Sequence, residues 1–378
     1  MRIAAVTNSR IPSLTANSIQ AMKVCDALTA LGHDVRIIAP REGRLAESTS
    51  LQSHYGLQRS PDVEWQTSWR FGRRLDFVMR ARGAYRRFRA DLVYTWLPQA
   101  AVMALSGALP AVLEVHGDVG GVAGALWLRQ FWRQSGSKRM AVTTTALWRA
   151  LEKATGRGFP PGAVVVAPNG VDLVRYADLP EPHAARQRLG LEQKMTLGFT
   201  GHIYPGRGAE LLFELARRMP DLQFLWVGGT VDSVSRWRQR LQDEQVANVV
   251  MPGFVENRDL PMYQAAADVL LMPYGSTVSA SSGQEISDVI NPMKMFEYMA
   301  AGRAIVTADL PVLHEVLDGT TAVFCRPADV GGWEAALRAL LQDEARRTAL
   351  AAAARLRVQS YTWEARERKI LGDLSWVR

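Results

Sequence analysis

The sequence predicts two α/β domains, each a doubly wound parallel sheet of Rossmann-like type, facing a central cleft. Three observations carry that expectation. Short apolar runs alternate with helix-period patterns over the first 170 residues. The same alternation restarts after a polar, proline-bearing stretch at residues 175–194. A chain of 378 residues also exceeds what one hydrophobic core usually supports. The expected division sets residues 1–178, with a returning helix at about 361–378, against residues 179–360.

Taken in order, RIAAVT and DVRIIAP read as strands. The segment between them, ANSIQAMKVCDALTALG, reads as a helix with Ile19, Met22, Ala27, Leu28 and Leu31 inward. Asn17 or Ser18 stands at its cap and Gly32 at its end. DLVYTW (91–96), AVLEVHG (111–117), RMAVTT (139–144) and AVVVAPNG (163–170) continue the alternation, which implies a parallel sheet covered on both faces. Residues 175–194 read as a linker. The second series is MTLGFTG, LQFLWVGG, ANVVMPGFV, DVLLMPY, RAIVTAD and TAVFCRP, with GAELLFELARRM and MKMFEYMAAG among its helices. YTWEARERKILGDLSWVR closes the chain as an amphipathic helix expected to pack back across the domain junction.

Composition narrows the class. Hydrophobic residues make up 48% and charged residues 22%, the balance of a soluble globular protein. Two distant cysteines, Cys25 and Cys325, fit neither a disulfide scaffold nor a zinc site. The N-terminus lacks a signal-peptide pattern, and the most apolar stretch (100–115) is too short to span a bilayer, so a cytoplasmic protein is expected. Charge is uneven: residues 1–180 carry 23 Lys+Arg against 13 Asp+Glu, the remainder 22 against 24. A basic half suggests an anionic surface as partner.

Ligands of open α/β sheets bind at the carboxyl ends of the strands, so chemistry is sought in the loops there. TGHIYPGRGAELLFEL (200–215) is a strand end, a glycine-bearing loop and a helix start near Gly208. Free N–H groups at a helix start favour anions, and Arg207 adds a guanidinium fork suited to phosphate. In NPMKMFEYMAAGRAIVTAD (291–309), Asn291 is expected to cap a helix whose first turn holds Pro292. Met293, Phe296 and Met299 form its buried stripe. Lys294 and Glu297 lie one turn apart on another face, suited to a phosphate and to two adjacent sugar hydroxyls. The plain alternative for this pair is a surface i,i+3 ion pair.

These segments resemble the retaining glycosyltransferases of family four, which have the GT-B fold. GHIYPGRG and FEYMAAGRAIV match the family's donor-domain signature, while LEVHG (113–117), PNGVD (168–172), VGG (227–229) and the final YTWEARE match further landmarks in order. The resemblance covers essentially the whole chain. It implies transfer of a sugar from a nucleoside-diphosphate sugar, in UDP or GDP form, to a hydroxyl, with no cofactor and no metal. By position it implies His116, Arg207 and Glu297 as catalytic residues, with His116 at the sugar end, Arg207 on the diphosphate and Glu297 on the ribose. It adds Asn17, Ser18, Gly201, His202, Gly228, Phe254, Val255, Asn291, Met293 and Lys294 to the donor site. Two departures stand out. His202 occupies a place where arginine is frequent, and Val289 stands where the family commonly has a first glutamate, with Glu285 and Asp288 nearby. The opening loop SRIPSLTANS has no glycine where many relatives have two, and it resembles a variant seen in a bacterial branch of the family.

The basic half has its own signature. Residues 68–91 hold eight arginines interleaved with Trp69, Phe71, Phe77, Tyr85 and Phe88, and LWLRQFWRQSGSKR (126–139) repeats the theme. Such stretches suit an anionic membrane surface, and many members of the family act on lipid-linked acceptors there. A lipid-linked or saccharide acceptor at the inner face of the cytoplasmic membrane is therefore expected. The plain alternative is a solvated helix whose aromatics belong to the core. Two other classes are a nucleic-acid or anionic-surface binder using the same arginines, disfavoured by the phosphate-type loops, and a nucleotide-sugar epimerase of the same fold.

Overall fold

Strand β1 (Arg2–Val6) is buried at every position after the first and lies third in a seven-stranded parallel sheet. The computed structural model describes residues 1–41, 51–67, 75–117, 121–203, 206–279, 285–373 and 375–377. After β1 come α1 (Ala16–Ala30), β2 (Asp34–Arg41), α2 (Leu51–Tyr55), β3 (Asp62–Thr67), α3 (Leu75–Arg87) and β4 (Leu92–Thr95). Then follow α4 (Pro98–Ser106), β5 (Ala111–Val115), α5 (Gly121–Arg133), β6 (Lys138–Val142), α6 (Thr145–Thr155) and β7 (Val164–Val166). The sheet order is β3-β2-β1-β4-β5-β6-β7, so the chain winds outward on one side of β1 and then on the other. The reversal places a switch point beyond the ends of β1 and β4, where such sheets receive ligands. The opening loop leaves β1 at that point.

The second series contains α7 (Pro182–Leu189), β8 (Thr196–Thr200), α8 (Ala209–Arg218), β9 (Gln223–Val227), α9 (Val231–Asp243), β10 (Val249–Gly253), α10 (Leu260–Ala265) and β11 (Val269–Met272). It ends with α11 (Met293–Ala301), β12 (Ala304–Ala308), β13 (Val323–Cys325), α12 (Val330–Gln342) and α13 (Glu344–Arg357). Its six parallel strands run β10-β9-β8-β11-β12-β13, with the switch point between β8 and β11. The last helix, α14 (Trp363–Leu371), groups with the first series: one compact unit is Met1–Asn169 with Trp363–Arg378, the other Gly170–Thr362. The two-sheet Rossmann-like architecture is the expected one.

Several local expectations are corrected. Residues 175–194 are not a linker: α7 buries Ala185 and Arg186, and the Arg186 guanidinium reaches Asp268 at 2.8 Å and the Ala266 carbonyl at 3.0 Å. Its prolines are helix-start residues, Pro182 standing in the first turn. β3 was not anticipated, because DVEWQT is a half-buried edge strand with little apolar contrast. Helix α1 begins at Ala16, so its N-cap is Thr15 and neither Asn17 nor Ser18. Helix α11 begins at Met293 with Pro292 as N-cap (ψ 132°), not Asn291, since the extended Pro292 backbone defers helical dihedrals by one residue. Its buried side is Met295, Phe296, Tyr298 and Met299, while Met293 is half-buried.

Four aromatics of the basic stretches lie inside, while Phe88 and Trp127 are half-buried. Phe77, Tyr85, Phe131 and Trp132 are all core residues, the plain alternative of the sequence reading. Trp69, Phe71, Arg70, Arg73 and Arg74 lie outside the described residues. The outward face of α3 instead shows Arg80, Arg86 and Arg87 with Leu75 and Met79, and α5 shows Leu126. No helix among the described residues is long and apolar enough to cross a membrane.

Candidate functional site

The site is built first in the second unit, at its switch point. The loop after β8 and the loop after β11 meet backbone to backbone. Gly208 (φ +86°) caps α8 where a Cβ would lie 1.8 Å from the Pro273 carbonyl oxygen, so no side chain fits there. Gly201 (φ +131°) does the same for a side chain: a Cβ would sit 2.8 Å from Nζ of Lys294. The glycines of this loop therefore bring Lys294 against its backbone, rather than giving flexibility. Tyr204 and Pro205 of the loop lie outside the described residues.

Lys294 projects from the first turn of α11 over the Phe199 ring, 4.0 Å from its centroid, and stands 5.8 Å from the Tyr274 centroid. Arg207 stacks on the same Tyr274 ring at 5.6 Å and donates to the Ser279 carbonyl at 3.3 Å. Its Nε is buried with no hydrogen-bond partner among the described residues. Burial drives the Lys294 ammonium well below the ordinary lysine range, Arg207 pushes it further down, and Glu297 opposes them. Two adjacent cations held against aromatic faces, with an unmet donor between loops, form an anion-binding arrangement.

Glu297 follows one turn later on α11. It does not pair with Lys294. Instead Oε2 accepts from Gln264 Nε2 at 3.2 Å, and the Gln264 oxygen accepts from the Tyr176 hydroxyl at 3.0 Å. Gln264 also lies 3.4 Å from the Thr200 hydroxyl, and the Thr200 backbone N–H donates to Tyr298 at 2.8 Å. A chain of neutral side chains thus fixes the carboxylate, leaving acceptor capacity for a ligand's hydroxyls. The surface ion pair of Lys294 and Glu297 is not formed.

The other expected donor residues fall on neighbouring loops. His202 and Gly201 are half-buried just beyond β8. Gly228 follows β9 and donates its N–H to the Gly253 carbonyl at 2.7 Å. After β10, Phe254 is 45% exposed, whereas Val255 packs on the Ala265–Leu225 cluster. Asn291 is half-buried before α11. Near the missing glutamate, Val289 is half-buried and Asp288 and Glu285 are exposed. Glu285 pairs in a bridge with Ser279, whose carbonyl holds Arg207.

In the first unit the opening loop is a knot of hydroxyls. Ser13 Oγ lies 2.9 Å from both Thr15 Oγ1 and Ser18 Oγ, and the Ser13 N–H donates to the Tyr55 hydroxyl at 2.8 Å. Trp65 Nε1 holds the Ile11 carbonyl at 3.2 Å. Side chains thus shape a loop that has no glycine. Ser18 is buried and its hydroxyl donates within the loop, whereas Asn17 is exposed.

His116 follows β5. Its Nε2 contacts the buried carboxylate of Glu114, which lies two residues earlier on the same strand face. The partners of Glu114 were not found from the sequence. They are Gln20 of α1 at 2.5 Å, Tyr94 of β4, and Arg366 of α14 at 2.5 Å. The signal for the last was present: Trp363, Arg366, Glu367 and Ile370 share one helical stripe and are all buried.

Two doubly wound parallel sheets, with an anion-binding loop pair at one switch point and a histidine beyond a strand of the other unit, define the class of two-domain GT-B proteins. The family comparison agrees. Residues 18–175 match Glycosyltransferase Family 4 and residues 194–343 match Glycosyl transferases group 1, so the chain belongs to the GT-B glycosyltransferases that carry these two domains. It is 33% identical over 233 residues (55% of the chain, 50% of the relative) to a D-inositol 3-phosphate glycosyltransferase of Kineococcus radiotolerans. It is 26% identical over 285 residues (71% and 72%) to a Corynebacterium glutamicum protein, the GDP-mannose-dependent monoacylated alpha-(1-6)-phosphatidylinositol monomannoside mannosyltransferase. The chain spans about half the length of several curated relatives that it matches. Among solved structures, Anabaena Alr3699/HepE in complex with UDP-glucose superposes with a TM-score of 0.77 over 99% of both chains, at 17% identity, which is a likeness of fold. The epimerase and nucleic-acid alternatives are not favoured by these matches.

Proposed function

We propose that this protein transfers a sugar from a nucleoside-diphosphate sugar to a hydroxyl acceptor, with retention of anomeric configuration, and that the acceptor is lipid-linked or a cell-envelope glycan precursor. One observation carries the reading: Arg207 and Lys294 stand 5.6 Å and 5.8 Å from the Tyr274 ring centroid, with a guanidinium donor unmet among the described residues and a suppressed ammonium, beside the Gln264-anchored Glu297. Two cations gathered near one ring are stable together when an anion bridges them. Breaking the glycosidic bond leaves negative charge on the diphosphate, and fixed cations placed where that charge grows lower the barrier. Arg207 and Lys294 take that role, Glu297 receives the ribose hydroxyls, and the loops at Gly201, His202, Gly228, Phe254, Val255 and Asn291 to Lys294 line the rest of the donor. His116 serves the transferred sugar, and Asn17 is an exposed polar group in the first turn of α1 for it or its acceptor. The relatives named for inositol phosphate and for a phosphatidylinositol mannoside support a polyol or lipid-linked acceptor. The arginine-rich outer face of α3, with Leu75 and Met79, is the side this reading sets on an anionic membrane.

The binding half is tested by calorimetry with UDP and GDP. At least one is expected to bind, with Arg207→Ala weakening it by tenfold or more (about 1.4 kcal/mol) and Glu297→Ala doing likewise. Equal affinity in a folded Arg207→Ala variant, or no binding of either nucleotide by the wild type, overturns the assignment.

A further inference from the structure

The buried charges of the first unit converge on one carboxylate. Glu114 is fully buried, as are Arg366 (2% exposed side chain) and Glu367. Oε1 of Glu114 receives Gln20 Nε2, Arg366 Nη2 and His116 Nε2, and Oε2 receives the Tyr94 hydroxyl and Arg366 Nη1 (3.3 Å). Gln20, Tyr94 and Arg366 all donate to it, and the second carboxylate, Glu367, meets Arg366 from another side, so Glu114 accepts from the groups that touch it. Burial alone would raise its titration, but Arg366 and His116 outweigh that and hold Glu114 ionised well below the usual carboxylate range. Arg366 is itself fixed, its Nε donating to the Pro168 carbonyl at 3.1 Å and its Nη1 to Glu367 at 2.5 Å. The remaining titratable neighbour is Cys25 of α1, whose thiol burial and the acidic pair keep protonated.

An ionised carboxylate only accepts, so the His116 nitrogen that meets it must carry the hydrogen. In the neutral ring the other nitrogen, Nδ1, is then an acceptor, on a side chain that is 23% exposed while its anchor is wholly buried. We propose that Glu114, held by Arg366 of the C-terminal helix, is a positioning residue that fixes His116 in the Nε2–H tautomer and presents Nδ1 as a hydrogen-bond acceptor for a hydroxyl of the transferred sugar or acceptor. The inference rests on the reading of His116 as the sugar-end residue. It makes the returning helix part of the reaction apparatus, because Arg366 supplies the charge that keeps Glu114 an acceptor.

The experiment is nitrogen-15 NMR of the six histidines in the full-length protein, with His116→Ala assigning the ring. The wild type is read first, so the result does not depend on a variant folding. The expected spectrum has neutral His116 in the Nε2–H form with its Nε2 proton shifted downfield, and Glu114→Gln loses that proton and mixes the tautomers. An Nδ1–H tautomer in the wild type, or an unaltered His116 ring in folded Glu114→Gln, overturns the proposal. Sugar transfer by His116→Ala separates the two readings: a tenfold or greater loss of kcat supports the acceptor role, whereas undiminished transfer overturns the sugar-end assignment even if the tautomer is as expected.

Discussion

Lys294 shows how one side chain couples sequence to chemistry. Its neighbour Gly201 has no Cβ to displace it, Phe199 stacks beneath it, and Arg207 repels it. On the proposed reading, an arriving diphosphate supplies the missing counter-charge and raises the lysine's affinity for a proton. The sign follows: the free protein holds the ammonium less tightly, so binding takes up protons. Affinity should fall as pH rises through the lysine's lowered titration. Calorimetry of UDP or GDP above pH ~7.5, where the terminal phosphate is fully ionised, checks this in two buffers of different ionisation heat. Proton uptake is expected in the wild type and absent in Lys294→Arg, whereas identical heats in both buffers would contradict it. At this scale the sequence was legible for placement: Arg207 lies on the loop before α8, and Lys294 and Glu297 lie one turn apart on α11. It was silent on Gln264 and Tyr274, because their contacts come from elements distant in the chain. It misplaced the two helix caps by one to three residues, since the cap depends on backbone dihedrals that Pro292 and Thr15 adopt only in the folded loops.

Among the elements, α14 is the one whose importance was hidden. Its buried stripe carries Arg366 and Glu367 between Trp363 and Ile370, and α14 packs against α1. Polarity obscured this stripe, because charged residues usually mark the solvent face. The linker expectation for residues 175–194 failed for the same reason: α7 buries an arginine, paired with Asp268. Buried charges of this kind are tolerated only when matched. Two carboxylates face one guanidinium here, and the surplus shows in Glu367. Burial lifts it, Arg366 pulls it back and Glu114 pushes it up again, to about 7. A folded-state value above the unfolded one means that the folded protein keeps this proton longer. Stability contributed by the protonated group is therefore complete below the unfolded carboxyl value and is lost as pH rises toward about 7. Glu114 acts in a separate window, losing its contribution only in acid. Glu367→Gln should consequently melt like the wild type near pH 5 and above it at pH 8, by an amount on the order of 1–3 kcal/mol. A wild-type and variant pair with parallel melting-temperature profiles from pH 5 to 8 would contradict the account.

At the scale of the whole molecule, both sheets were legible because alternation of apolar runs with helical patterns is a long-range, redundant signal. Twelve of the thirteen strands among the described residues were anticipated, and the exception is the half-buried edge strand β3. The surface was less legible: aromatics among arginines read equally as a membrane face or as core, and burial resolves Phe77, Tyr85, Phe131 and Trp132 as core. What remains outward on α3 and α5 is arginine with Leu75, Met79 and Leu126, a smaller apolar face beside a basic half. The account's central claim is sugar transfer driven by the Arg207–Lys294–Glu297 constellation. Its most direct test incubates the purified chain with labelled UDP- and GDP-sugars and anionic phospholipid vesicles containing a bacterial lipid extract. The account predicts label in the lipid or glycan fraction, in the anomeric configuration of the donor, with at least a hundredfold loss (about 2.7 kcal/mol) in Arg207→Ala. Transfer by Arg207→Ala at the wild-type rate, or no transfer from any donor by wild-type protein that binds the nucleotide, would contradict it.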